Sequence, residues 1–235
     1  MRRVLLSLAG LATVAAIWVG AVRAADECTG LPVCLPAAGP WVVIPAETGV
    51  VEYSLKCPRR NYIVAGTDVR LSDPEIDMAL RGETGSPVSP GVTTTESVVF
   101  VARYVGRTRR AVTFQPFIGC VPTAGGGGRG LTAHAQTSPG LRPTRPLVRI
   151  VVDKRLRAAT VTLRAACPKN TRLLGRLDAV GFRTAVPPPA VALETVELIR
   201  SRQGTAVAVK ARARGAIRAL KPEVQVQALC AKGRR

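Results

Sequence analysis

Two cysteine pairs share one span and one opening dipeptide: Cys57-Pro58 precedes Cys120 by 63 residues, and Cys167-Pro168 precedes Cys230 by 63 residues. This coincidence reads as one module used twice, and it constrains the domain plan and the thiol pairing together. The match extends beyond the cysteines. Val51, Tyr53, Leu55 and Cys57 alternate with other residues before the first Cys-Pro, as Val161, Leu163, Ala165 and Cys167 do before the second, displaced by 110 residues. Ahead of the closing cysteines, Val112, Phe114, Pro116, Ile118 and Cys120 match Pro222, Val224, Val226, Ala228 and Cys230 in the same 110-residue register. A period of two marks a half-buried strand, so both ends of the module are predicted strands. Between them the match decays, and Val64-Ala65-Gly66 aligns with Leu173-Leu174-Gly175 only after a shift of one residue.

The N-terminus carries Arg2 and Arg3, then an apolar run from Val4 to Val22, then Val22-Arg23-Ala24 with small or branched residues where a signal peptidase reads. Residues 1–24 are therefore read as an export signal. At about 1.5 Å per residue the run also reaches roughly 28 Å, so an uncleaved membrane anchor is the alternative. All six cysteines follow this segment. Thiols placed so in an exported chain form lasting disulfides. Of the pairings available, the repeat selects Cys57 with Cys120 and Cys167 with Cys230, leaving Cys28 with Cys34. In the chain-entropy model each long loop contributes about 4 kcal/mol and the short one about 2. A thiol metal site is disfavoured by the wide spacing and by the single histidine, His134.

Residues 122–146 contain four consecutive glycines and then Pro139, Pro143 and Pro146 with little apolar periodicity, the composition of a linker that leaves its flanking modules free to reorient. The plan is thus a signal (1–24), a first β module with the Cys28–Cys34 loop (25–121), a linker (122–146) and a second module (147–235). Trp41 to Ile44, Ser97 to Tyr104, Leu147 to Val152 and Thr205 to Ala213 favour strand by β-branched content or alternation. Val191 to Ile199 favours strand as well, with a short amphipathic helix over Val191 to Arg202 as the alternative, because Val191, Glu194, Leu198 and Arg202 mix both periods. The fold class is all-β: two small disulfide-stapled antiparallel β-sandwich-like modules in tandem, with a small closed barrel as the alternative. The cysteine span falls within the immunoglobulin-like range. Yet no tryptophan follows Cys57 or Cys167 at the expected distance, and Ile118 and Ala228 stand where that family's tyrosine corner would be, so only the architecture is expected.

The chain's net charge of +19 is unevenly placed. Ala25 to Ala124 holds 9 basic and 10 acidic residues, whereas Gly125 to Arg235 holds 22 basic and 5 acidic. Within the second module Lys210, Arg212 and Arg214 alternate with Val209, Ala211 and Ala213, so on a strand the three cations project from one face. Arg155, Arg157, Arg172, Arg176, Arg218 and Lys221 add to the field, although the sequence does not place them. A basic face concentrates polyanions in a salt-dependent way. Anionic envelope polymer and lipid headgroups qualify as partners. Nucleic acid is disfavoured, because Phe182 is the sole aromatic residue of the second module and no groove-reading motif is present.

Other chemistry finds little support. Asp73, Glu75 and Asp77 alternate on a turn-rich stretch but lack the glycine and distal glutamate of a calcium loop. His134 lies in the linker, which cannot hold a base in place for a nucleophile. Asp68, Glu83 and Glu96 supply carboxylates for a hydrolase, yet nothing marks two of them as a pair. The expectation is therefore a non-enzymatic, cofactor-free binding or adhesion protein of the cell envelope, periplasmic or extracellular, and membrane-anchored if the signal is retained. An accessory envelope protein without a ligand of its own is the alternative, and a carboxylate-dependent hydrolase a more distant one.

Overall fold

The computed structural model describes Cys28 and residues 33–46, 49–82, 87–89, 92–93, 96–107, 110–122, 147–213 and 215–232. The proposed signal, nearly all of the linker, His134, Glu83 and Arg214 lie outside these residues. Among the described residues no helix is long and apolar enough to cross a membrane.

The protein is all-β, with antiparallel pairing throughout and three disulfides, Cys28–Cys34, Cys57–Cys120 and Cys167–Cys230. The first half supplies β1 (Leu35–Ala38), β2 (Trp41–Ile44), β3 (Val51–Lys56), β4 (Tyr62–Leu71), β5 (Ile76–Gly82), β6 (Pro87–Ser89), β7 (Val92–Thr93), β8 (Ser97–Tyr104) and β9 (Val112–Pro122). The second supplies β10 (Leu147–Arg155), β11 (Thr160–Ala166), β12 (Thr171–Phe182), β13 (Val196–Gln203), β14 (Ala206–Ala213) and β15 (Pro222–Lys232). A one-turn helix, α1 (Ala190–Leu193), precedes β13, so the segment of mixed periodicity is divided between the two structures.

Each half pairs its strands in the same way. In the first, β8 lies between β3 and β5, while β9 pairs with β4 on one edge and with β1 and β2 on the other. In the second, β14 lies between β11 and β13, while β15 lies between β12 and β10. The unbroken β10 thus stands where the first half has β1 and β2, which are interrupted at Gly39-Pro40. A Cβ on Gly39 would come within 2.6 Å of the Pro116 ring, so the chain approaches β9 there only as glycine.

The one-residue shift between the halves has a local cause. The turn after Cys57 runs Pro58-Arg59-Arg60-Asn61, and that after Cys167 runs Pro168-Lys169-Asn170. Each ends on an asparagine at positive φ, 65° for Asn61 and 62° for Asn170, a backbone region asparagine tolerates better than most residues. Beyond each turn the ladder slips once, just past the closing cysteine's partner. Val64 faces Cys120 and Gly66 faces Gly119; Leu173 faces Cys230 and Gly175 faces Leu229. Ala65 and Leu174 are the extra residues of these two bulges.

The expectation of freely reorienting modules is corrected. Trp41 and Val42 of β2 pair with Phe182 and Gly181 of β12, joining both halves into one seven-stranded sheet. Alternation then sends the apolar side chains to two cores on opposite faces of that sheet. Val42 and Ile44 enter the core under β3, β8 and β5, whereas Val43, their neighbour, enters the one under β11, β14 and β13. From the second half Ala179 joins the first core, while Phe182 fills its own. A linker's composition speaks for its own freedom and says nothing of what the segments beside it bury.

Candidate functional site

The outer face of the β11-β14-β13 sheet follows from strict alternation. Val207, Val209, Ala211 and Ala213 turn into the core, with Val161, Leu163 and Ala165 of β11 beside them, all buried. Lys210 and Arg212 consequently project from the opposite face and are exposed. Their cross-strand neighbours are Thr162 and Ile199 for Lys210, and Thr160 and Glu197 for Arg212. Arg164, exposed and two residues beyond Thr162, extends the same face. The sequence reading did not single out Arg164, although its place between inward Leu163 and Ala165 carried the signal. Arg214 lies outside the described residues. Arg172 and Arg176 sit on β12, in the other sheet, and Lys221 precedes β15.

Several cations elsewhere are ion-paired. Lys56 pairs with Glu96 at 2.8 Å, Arg81 with Glu52 at 3.1 Å, Arg103 with Asp77 at 3.7 Å, and Arg110 with Asp73. Arg200 donates two 2.7 Å hydrogen bonds to Asp178, which raise its already high pKa against the opposing effect of partial burial. Among the described residues, Lys210, Arg212 and Arg164 have no such partner.

A second polar constellation lies between the halves, where β3 abuts the face of β15 turned away from its own core. Gln225 accepts from the Ser54 N–H at 2.7 Å and donates to the Ser54 carbonyl at 2.9 Å, so one carboxamide satisfies a peptide edge as a strand would. Gln227 donates to the Glu52 carbonyl at 3.1 Å and to Gln225 at 2.7 Å, while Arg149 donates to Gln227 and stands 2.9 Å from the Glu52 carboxylate. Glu223 accepts from the Tyr53 hydroxyl at 2.9 Å and from Arg183 at 2.6 and 3.2 Å. Burial, and then the adjacent Glu223, push the Tyr53 phenol well above its ordinary range. Burial also acts against the Arg183 charge, but the hydrogen bonds and charge of Glu223 outweigh it and leave its pKa raised. This seam is an assembly contact: its carboxylates are committed to arginines and a tyrosine.

The other acidic candidates are dispersed. Asp73 is buried, accepts from the Glu75 N–H at 2.9 Å and pairs with Arg110; Glu75 accepts from the Tyr104 hydroxyl at 3.2 Å; Asp77 pairs with Arg103. Asp68 accepts from the Val69 N–H at 2.7 Å, and Glu96 is held by Lys56. The structure brings none of these into a shared cleft as a carboxylate pair. Compared with protein-family models, curated proteins and solved structures, the chain matches none.

Proposed function

We propose that this is an exported, non-enzymatic binding protein of the cell envelope, built from two copies of one β module, that engages an anionic polymer or surface through the outer face of the β11-β14-β13 sheet. The observation that carries the reading is the clustering of Lys210, Arg212 and Arg164 on one sheet face, exposed and without ion-pair partners among the described residues. Duplication is supported by the common strand order, the paired bulges and the equal disulfide spans of 63 residues. Export is supported by three disulfides, which persist in oxidising compartments.

Salt-graded elution of the full chain from a polyphosphate resin tests the binding claim. K210A/R212A/R214A should elute at clearly lower salt than R142A/R145A/R234A, which removes equal charge from scattered positions. A focused patch loses its field steeply as the Debye length falls from about 10 Å at 0.1 M salt to about 3 Å at 1 M. Equal losses from the two triple variants would mean diffuse charge without a site, and would return the accessory reading to first place.

A further inference from the structure

The basic face runs into a cleft. Between the end of β10 and the open edge of β11 lies a cavity of about 690 Å³ lined by Asp153, Lys154, Arg155, Arg157, Thr160 and Thr162, among others. That volume suits a ligand of drug size, about a disaccharide. Thr160 and Thr162 form its lip, and they are the cross-strand partners of Arg212 and Lys210. Directly opposed side chains on neighbouring strands stand about 5 Å apart, so cleft and face are one continuous surface.

The groups that meet there differ from those of a simple cation patch. Glu223 is already held by Arg183 at 2.6 Å and by Tyr53 at 2.9 Å. Arg155, at 3.8 Å from Glu223, is beyond hydrogen-bond reach and keeps its donors for a ligand. Lys154 and Arg157 are exposed, with no side-chain partner among the described residues. Among these cations sits one exposed carboxylate, Asp153, together with two exposed threonine hydroxyls. A carboxylate in this place repels a dense run of phosphates, but it accepts hydrogen bonds from hydroxyl groups. Among the described residues no aromatic ring lines the cleft, so a nucleobase finds no stacking platform there.

We infer that the cleft and the adjoining Lys210–Arg212 strand hold an acidic polysaccharide whose carboxylates are separated by neutral, hydroxyl-bearing units. Its carboxylates meet Arg155 and Arg157, and its hydroxyls meet Asp153, Thr160 and Thr162. This rests on the polyanion reading above and narrows it to a class of polymer.

The test uses the full chain at about 0.1 M salt, where surface electrostatics remain visible. Three fluorescent probes are titrated: hyaluronate oligosaccharide, with one carboxylate per disaccharide, polyphosphate, and oligothymidylate. Hyaluronate should bind, and R155A/R157A should weaken it at least tenfold. D153A should have opposite effects, weakening hyaluronate several-fold and tightening polyphosphate. T160V/T162V keeps shape and charge while deleting both hydroxyls, so it should weaken hyaluronate alone. Binding of polyphosphate or oligothymidylate through Lys210 and Arg212, with hyaluronate unbound, overturns this inference and leaves the basic face standing. Tightening of both polyanions by D153A overturns it as well. Failure of every probe to bind overturns both proposals.

Discussion

Gln225 presents a carboxamide where another strand would present a peptide group. Its two hydrogen bonds to Ser54 close an edge of β3 that lies buried against β15. Truncation to alanine strands both backbone groups, and an unsatisfied buried donor or acceptor costs about 1–3 kcal/mol. Q225A should therefore destabilise the protein by roughly 2–4 kcal/mol in urea unfolding, whereas T205A, in the exposed turn before β14, should change little. Asp153 gives a prediction in pH. Partial burial, and next the charge of Glu223, lift its carboxyl above the usual range, with Arg183 opposing. The folded protein thus holds that proton more tightly than the unfolded chain. Stability from this group is present at low pH and is lost as pH rises from the ordinary carboxylate value through the raised one. Solvent around the exposed side chain keeps the effect below about 1 kcal/mol. D153N should remove the fall in stability that sets in above the ordinary carboxylate range and be at least as stable as the parent at neutral pH; clear destabilisation there would contradict this. The alternation of Val224, Gln225, Val226 and Gln227 made the outward direction of both glutamines legible. What covers them was not, because alternation tells which way a side chain points and nothing of what lies on that side.

The elements themselves were largely legible. Trp41–Ile44 and Ser97–Tyr104 match β2 and β8, and the alternation before each cysteine marks β3, β9, β11 and β15. Val196–Gln203 was harder: a one-turn helix precedes it, and its edge position leaves Ile199 and Arg200 exposed, which blurs the period of two. The pairing of β2 with β12 was not legible at all. It rests on only Trp41 with Phe182 and Val42 with Gly181, and a contact that short leaves no pattern in the sequence. Its consequence is cooperative. Because Val43 and Ala111 pack in the second core and Ala179 in the first, neither core is complete within its own half. Residues 25–121 and 147–235 expressed apart should each melt below the intact chain, and the intact chain should unfold in one calorimetric transition. Two independent transitions, each reproduced by an isolated half, would contradict the shared sheet.

On the scale of the whole molecule, charge is sorted by position. Ion pairs hold part of the charge in the first half and at the seam, and unpaired cations line β11, β14 and the mouth of the neighbouring cleft. The sequence placed Lys210 and Arg212 together because a strand's period fixes direction. It did not place Lys154, Arg155 or Arg157 beside them, since the first two end β10, a strand of the other sheet, and Arg157 lies in the turn that follows, and no period within one strand tells which sheet comes to lie beside it. Lysine acetylation read by mass spectrometry is the most direct test, because the chain has only six lysines and they divide cleanly. Lys210 lies on the basic face and Lys154 lines the cleft, while Lys169 is in the turn at the far end of β11, following Cys167. With a short polyphosphate at low salt, acetylation of Lys210 should be slowed severalfold and that of Lys169 left unchanged. Equal protection of Lys169, or none at Lys210, would contradict a binding face on this sheet.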